Sequence, residues 1–181
     1  MAKVAGASKA AAKRLAAKRT AATPPADETA LGRAGLMRWG ALAVLGVAGM
    51  GVAAYLTYTH WADKAVACGG LGRCETVQQS EYSTIAGVPV ALLGGLAAAA
   101  LVAVALSRLG GLPLAVEWAS MAALGLTTAS VAFAAYLTYI ELFVLEAICI
   151  YCVALACIFT ASWLISLSDS FLARDKSPEP G

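Results

Sequence analysis

The chain has 181 residues, of which 60% are hydrophobic and 13% are charged, and its mean hydropathy is +0.75. This composition excludes an ordinary soluble globular domain and predicts an integral membrane protein. The formal net charge of +2 is too small to favour a nucleic-acid partner, and five cysteines are too few for a small domain held together by disulfides.

The chain opens with a basic segment, residues 1–35, that is rich in Ala, Lys and Arg. Such a segment is typical either of a transit peptide or of a cytoplasmic tail that precedes a membrane span, and we favour the tail. A cleavable signal peptide is disfavoured because the first apolar run is too long and begins too far from the start. We therefore expect residues 1–35 to be a disordered cytoplasmic tail.

Four uncharged runs follow, and each is long enough for a helix that crosses a hydrocarbon core about 30 Å thick. These runs cover residues 39–62, 82–107, 118–140 and 147–168. Only helices satisfy their backbone groups within a single segment in lipid. The sequence therefore predicts an all-α integral membrane protein, a four-helix bundle over residues 36–168, with a second cytoplasmic tail at 169–181.

The connections between the spans differ in length. Residues 63–81 form a long loop that carries two cysteines, and its glycines, Gly69, Gly70 and Gly72, permit movement. We expect this loop to include a short helix before the second span. Residues 108–117 contain Pro113 and two glycines and predict a tight turn.

The orientation of the bundle follows from its charges. Only Lys64 and Arg73 fall on the side of the long loop, so 11 of the 13 Lys and Arg residues share the other side with both termini. Positive charge predominates on the cytoplasmic side of membrane proteins. Both termini are therefore predicted to be cytoplasmic and the long loop to face outward, together with the acidic connection that holds Glu141 and Glu146.

Four of the five cysteines are predicted to meet at the outer surface. Cys68 and Cys74 lie in the loop, while Cys149 and Cys152 lie at the outer end of the fourth helix, where residues three apart share a face. Structural disulfides and a zinc site remain alternatives. A redox relay is favoured because Cys-x-x-Cys thiolates are reactive and because a bridge within one helical turn contributes little stability. Cys157 is interpreted as apolar packing.

A six-residue sequence, Ala-Ala-Tyr-Leu-Thr-Tyr, occurs at residues 53–58 and again at 134–139. The two copies should lie at matching depth in the first and third helices. Two functions are open for their tyrosines: anchors at the level of the lipid headgroups, or walls of a pocket for a flat ring whose carbonyl oxygens accept hydrogen bonds. These candidate binding residues are Tyr55, Tyr58, Tyr136 and Tyr139.

Together these features resemble a bacterial homologue of the vitamin K epoxide reductase family. The resemblance is carried by Cys68-x5-Cys74, by Ser80 six residues later, by the four-span topology, and by residues 136–143 leading into the Cys-x-x-Cys of Cys149 and Cys152. The DsbB type of four-helix protein has its Cys-x-x-Cys in the first outward loop, which is the reverse of the order here.

The resemblance implies a role for each motif. Cys149 and Cys152 match the pair that exchanges electrons with a quinone of the menaquinone or ubiquinone type, with Cys152 nearest the ring. Cys68 and Cys74 match the loop pair that carries electrons from a reduced partner to Cys149. Ser80 matches a Ser or Thr beside the pocket, which acts through a hydrogen bond or as a helix cap. No motif for a metal, flavin or nicotinamide is visible.

The implied function is a thiol–disulfide:quinone oxidoreductase of the bacterial inner membrane that drives disulfide formation in exported proteins. Some bacterial members carry a fused thioredoxin-like domain, whereas this chain ends about a dozen residues after the fourth span. We therefore expect a separate extracytoplasmic thioredoxin-fold oxidase of the DsbA kind as partner. The alternative is a non-catalytic membrane protein with structural disulfides or a four-cysteine metal site.

Overall fold

Four long helices account for most of the part of the chain that the computed structural model describes, which is residues 32–68 and 72–175, without the side chains at 113–117 and 172–175. Each helix is long and apolar enough to cross a membrane. They are α1 (Arg33–Trp61), α3 (Val90–Leu109), α4 (Pro113–Phe143) and α5 (Ile150–Asp175). The predicted four-helix membrane bundle is confirmed.

The connection from α1 to α3 contains the expected short helix, α2 (Cys74–Gln78). A single 3-10 turn (Glu81–Ser83) follows it, and then an antiparallel hairpin of β1 (Thr84–Ile85) and β2 (Val88–Pro89). The prediction that the second span begins at residue 82 is therefore wrong. An apolar run shows where charges are absent, but it does not show where a helix starts. Here Ala86 and Gly87, with φ of 51° and 80°, form the turn of the hairpin that precedes the helix.

Helices α1 and α5 extend beyond the apolar runs that predicted them. Residues 33–35 and 169–175, expected in the two tails, are helical. An apolar run measures the stretch that suits the hydrocarbon core, and the backbone hydrogen bonds of a helix can continue past that stretch. The disorder expected for residues 1–31 and the mobility expected for Gly69 and Gly70 concern residues outside the described part, and so does the remainder of the second tail, 176–181.

The four spanning helices form a ring. α1 packs against α3 and α5, and α4 packs against the same two helices. α1 and α3 approach each other closely, since a Cβ built on Gly46 would lie 2.6 Å from Cγ2 of Val102 and 3.2 Å from the carbonyl oxygen of Ala98. In lipid, helices associate through such close packing of small residues, because the hydrophobic effect does not drive them together.

One end of the bundle is joined by a charged network. The Arg38 guanidinium of α1 lies 3.2 Å from the Asp169 carboxylate of α5 and donates to it, and the Ser120 hydroxyl of α4 donates to the same carboxylate over 2.9 Å. Among the side chains that the structure describes, this is the one ion pair. The opposite end carries α2 and the four candidate redox cysteines, and we call it the cysteine end.

Replacing Gly46 by Ala tests the packing of α1 on α3. The added methyl group meets Val102 and the backbone of Ala98, so we expect a loss of about 1–3 kcal/mol of stability, which is typical of overpacking. Gly51→Ala is the matched control in the same helix, because a Cβ there meets nothing within 4 Å. Thermal unfolding in detergent measures both variants, and an equal melting temperature for the two would contradict the close contact.

Candidate functional site

The loop at the cysteine end is closed by a disulfide. Cys68 and Cys74 are bonded, with their Cα atoms 6.2 Å apart. Cys74 is the first residue of α2 and is buried, while Cys68 is half-buried. The sulfur of Cys74 is thus enclosed by protein, and the disulfide is more accessible from the side of Cys68.

Backbone contact docks this loop onto the segment that precedes α5. The amide of Arg73 donates a hydrogen bond of 2.9 Å to the carbonyl oxygen of Ile148, and these two residues immediately precede Cys74 and Cys149. Gly72 makes the approach possible. Its φ is +106°, and a Cβ at this position would lie 2.5 Å from the same carbonyl oxygen, so only glycine fits without displacement.

Two tyrosines hold the other side of the disulfide. The hydroxyl of Tyr151 donates to the carbonyl oxygen of Ala67 over 2.9 Å, and the hydroxyl of Tyr55 accepts from the Ala67 amide over 3.2 Å. Their ring centroids are 5.2 Å apart. Ala67 immediately precedes Cys68, so both cysteines of the loop follow residues whose backbone is held by the bundle.

The second cysteine pair lies where α5 begins, and both of its thiols are free. The spacing predicted Cys149 on the helix, but the helix begins one residue later, at Ile150. The carbonyl oxygen of Cys149 accepts a hydrogen bond of 3.0 Å from the amide of Val153. Its own amide donates to Oε2 of Glu141 over 3.1 Å. Cys149 is completely buried, and Cys152 lies in the first turn of α5 and is half-buried.

This position activates the Cys149 thiol. A hydrogen bond from the Cys152 side chain lowers the pKa of Cys149 to about 7, and the backbone amides of Cys152 and Tyr151 at the start of α5 also lower it. Burial and the nearby Glu141 carboxyl act in the opposite direction and are outweighed. A substantial share of Cys149 is therefore thiolate near neutral pH, and the thiolate is the reactive form of a cysteine.

An apolar cavity of about 360 Å³ lies between α3, α4 and α5, beneath the segment from α2 to the 3-10 turn. This volume is in the range of cavities that hold small organic molecules. Cys152 contributes to its wall, whereas Cys149 does not. The few polar side chains in the wall include Ser80, Tyr82 and Glu141. The arrangement allows Cys152 alone of the four cysteines to contact a molecule bound in the cavity.

Ser80 lies in the cavity wall, as the resemblance implies. Its hydroxyl donates to the carbonyl oxygen of Val77 over 2.7 Å and makes no capping bond to a backbone amide of the 3-10 turn. Since a hydroxyl has two lone pairs, its oxygen stays able to accept a further hydrogen bond.

The expectation that the repeated tyrosines wall the pocket is wrong for this cavity. Tyr58, Tyr136 and Tyr139 are 57%, 54% and 58% exposed, and Tyr55 contacts the loop instead. None of the four lines the cavity. The residue next to each first tyrosine does so, Leu56 in one copy and Leu137 in the other. A shift of one residue turns a helical position by about 100°, and the repeat alone does not specify which face is inward.

The prediction that Cys157 packs inside the protein is also wrong. Its side chain is exposed on the surface of α5, and in a membrane-spanning helix such a surface faces lipid. The zinc alternative finds no support in the geometry. Cys68 and Cys74 are bonded to each other, and no group of three or more His, Cys, Asp or Glu residues able to hold a metal is found among the described residues.

Glu141 belongs to the site, although the sequence analysis predicted it in a connection between helices. Glu141 was expected in an exposed outward connection, but it belongs to α4 and is only 4% exposed. The available signal was its setting, a single acid within the apolar stretch from Tyr139 to Leu145. Gly72 and Tyr151 were not distinguished from turn and surface residues, because their contacts are made with distant parts of the chain.

A comparison with known protein families agrees with this geometry. The model of the vitamin K epoxide reductase family matches residues 40–167, which is most of the chain. The matched range contains α2, α3 and α4, all but the first residues of α1, all but the last residues of α5, and every cysteine.

Titration of Cys149 tests its activation. In a Cys157→Ala protein with the loop disulfide intact, absorbance at 240 nm is expected to rise with a midpoint near the pKa of about 7, as the thiolate forms with increasing pH. The Cys152→Ala change removes the largest stabilising hydrogen bond and should move the midpoint upward. A midpoint that does not move would contradict the role assigned to Cys152.

Replacing Gly72 by Ala tests the docking of the loop. The added Cβ collides with the Ile148 carbonyl, so the loop should separate and expose Cys149 to a maleimide reagent, with labelling about tenfold faster if roughly 1.4 kcal/mol of docking energy is lost. Gly87→Ala is the control, since Gly87 also has positive φ but no neighbour within 4 Å of a Cβ. Equal labelling of the two variants would show that the approach of Gly72 does not hold the loop.

Proposed function

The chain belongs to the vitamin K epoxide reductase family, and we propose that it oxidises a separate extracytoplasmic thioredoxin-fold protein of the DsbA kind and reduces a quinone. The chain is a multi-pass membrane oxidoreductase by family and by its four spanning helices. In the proposed setting, a bacterial inner membrane, both termini are cytoplasmic and the cysteine end faces outward. The charge asymmetry supports this orientation.

The observation that carries the proposal is the hydrogen bond between Arg73 and Ile148. It joins the residues that precede one cysteine of each pair, so Cys74 and Cys149 lie on adjoining segments. The other cysteines then face different environments, because Cys68 is the more exposed sulfur of the loop and Cys152 lines the cavity. The four sulfurs thus form a path from the surface of the protein to its interior.

Electron transfer along this path takes four thiol–disulfide exchanges, of which the first two occur with the partner. Two thiols of the partner reduce the Cys68–Cys74 disulfide and become a disulfide themselves. The Cys74 thiolate then attacks Cys149 of an oxidised inner pair, which forms a Cys74–Cys149 bond and releases Cys152 as a thiolate. Cys68 attacks Cys74, restores the loop disulfide and leaves Cys149 reduced.

The cavity fits a quinone ring as the final acceptor. Its volume of about 360 Å³, its apolar walls and the sulfur of Cys152 match a flat apolar ring that reacts at one edge. A bound quinone accepts two electrons and two protons. An acceptor of high potential is required on thermodynamic grounds, because an oxidant of the DsbA kind has a potential of about −120 mV, well above that of thiol pools.

Quinone reduction by purified protein, driven by a reduced thioredoxin-fold partner, tests the proposal. Cys152→Ala should abolish the reduction, because the sulfur that contacts the cavity is lost. Cys157→Ala is the matched control and should retain full activity, since this cysteine is exposed and lies outside the cavity wall. The Cys152→Ala protein should also accumulate a Cys74–Cys149 disulfide, seen by mass spectrometry without reductant. Quinone reduction that persists in Cys152→Ala would refute the path.

A further inference from the structure

Glu141 lies between the inner cysteine pair and the cavity. One carboxyl oxygen accepts the amide of Cys149 over 3.1 Å, the thiol of Cys152 lies beside the same carboxyl, and the side chain forms part of the cavity wall. The first of these contacts fixes the direction of the side chain. The carboxyl group therefore faces both the reactive sulfurs and the space in which a ligand binds.

A carboxyl group in this position needs an explanation. It belongs to the last turns of α4, within the segment long and apolar enough to span the membrane, and it is 4% exposed. Among the described side chains the one ion pair is Arg38–Asp169, at the other end of the bundle. None of the described cations therefore pairs with Glu141. Burial of an ionisable group without a counter-charge is costly, and such groups in membrane spans commonly carry protons.

The chemistry of the cavity requires proton transfer. When Cys149 and Cys152 form a disulfide they lose two electrons and two protons, and a quinone that becomes a hydroquinone gains both. The cavity walls are largely apolar, so the protons need a carrier among the side chains. Of the ionisable groups in the wall, Cys152 is itself oxidised and Tyr82 is 43% exposed, which leaves Glu141 beside the sulfurs.

We propose that Glu141 is the proton carrier of the quinone step, which rests on the function proposed above. As the Cys149 thiolate forms the sulfur–sulfur bond with Cys152, an electron pair passes from sulfur to the quinone and the carboxylate takes the proton of the Cys152 thiol. The carboxylic acid then gives this proton to one quinone oxygen, and the other quinone oxygen takes its proton from solvent, which replaces the proton that Cys149 had already released. Glu141 ends the step in the state in which it began. The hydrogen bond from the Cys149 amide keeps the carboxyl group directed toward both partners.

The Glu141→Gln variant separates proton transfer from positioning. The Gln amide oxygen is able to accept the hydrogen bond from Cys149, but the side chain carries no titrating proton. We expect kcat for quinone reduction to fall about 100-fold, within the usual range for loss of a general acid–base, with KM for the quinone unchanged. Exchange between the partner and the loop disulfide should stay within twofold, because it does not involve the cavity. Glu146→Gln, an exposed acid five residues away, is the matched control and should retain full activity.

Two further measurements address the carboxyl group directly. Infrared difference spectra between the oxidised and the reduced states of the inner cysteine pair, recorded without quinone, should contain a carboxylic C=O band. This band should be lost in Glu141→Gln and kept in Glu146→Gln.

Glu141→Asp keeps a titrating group and should reduce quinone faster than Glu141→Gln, even if both variants are partly destabilised. The reverse order would overturn the inference.

The outcomes distinguish this inference from the function on which it rests. If the unaltered protein reduces no quinone, the proposed function fails and the proton role fails with it. If the unaltered protein and Glu141→Gln reduce quinone at rates within twofold, Glu141 only positions Cys149, and the proposed function stands while the inference is wrong.

Discussion

The bond between the Arg73 amide and the Ile148 carbonyl is the contact on which the rest of the site depends. It holds a loop from the first half of the chain against a segment from the second half. Because it adjoins Cys74 and Cys149, it sets the relation between the two cysteine pairs. The docked segment also includes α2, which lies above the apolar cavity, so the same contact positions Cys74 and helps to cover the cavity.

The membrane bundle supplies the environment for this contact. Small residues such as Gly46 and Ala98 bring α1 close to α3, and the network of Arg38, Asp169 and Ser120 joins three helices at the far end. The start of α5 is thereby placed within the cysteine end, where its backbone amides stabilise the Cys149 thiolate. In apolar surroundings such fixed hydrogen bonds act more strongly than in water.

Sequence reasoning identified the number of spans and the two cysteine pairs, because both depend on composition and local spacing. It misplaced what depends on helix rotation. The repeated Ala-Ala-Tyr-Leu-Thr-Tyr marks a common depth, yet its leucines and not its tyrosines line the cavity. Glu141 was assigned to an exposed connection because charge usually ends a span. Its burial depends on an amide donated by Cys149, a contact that no local pattern reveals.

The loop is docked almost entirely through backbone atoms. The backbone amide and carbonyl of Ala67 bond to two tyrosine hydroxyls, and the Arg73 amide bonds to the Ile148 carbonyl. The side chains of these three residues are exposed. Substitutions at these exposed positions are therefore compatible with an unchanged sulfur geometry. The side chains that surround the disulfide and the backbone contacts that position it are thus separate variables, so the outer surface of the loop can change in charge and shape while Cys74 stays beside the segment of Cys149.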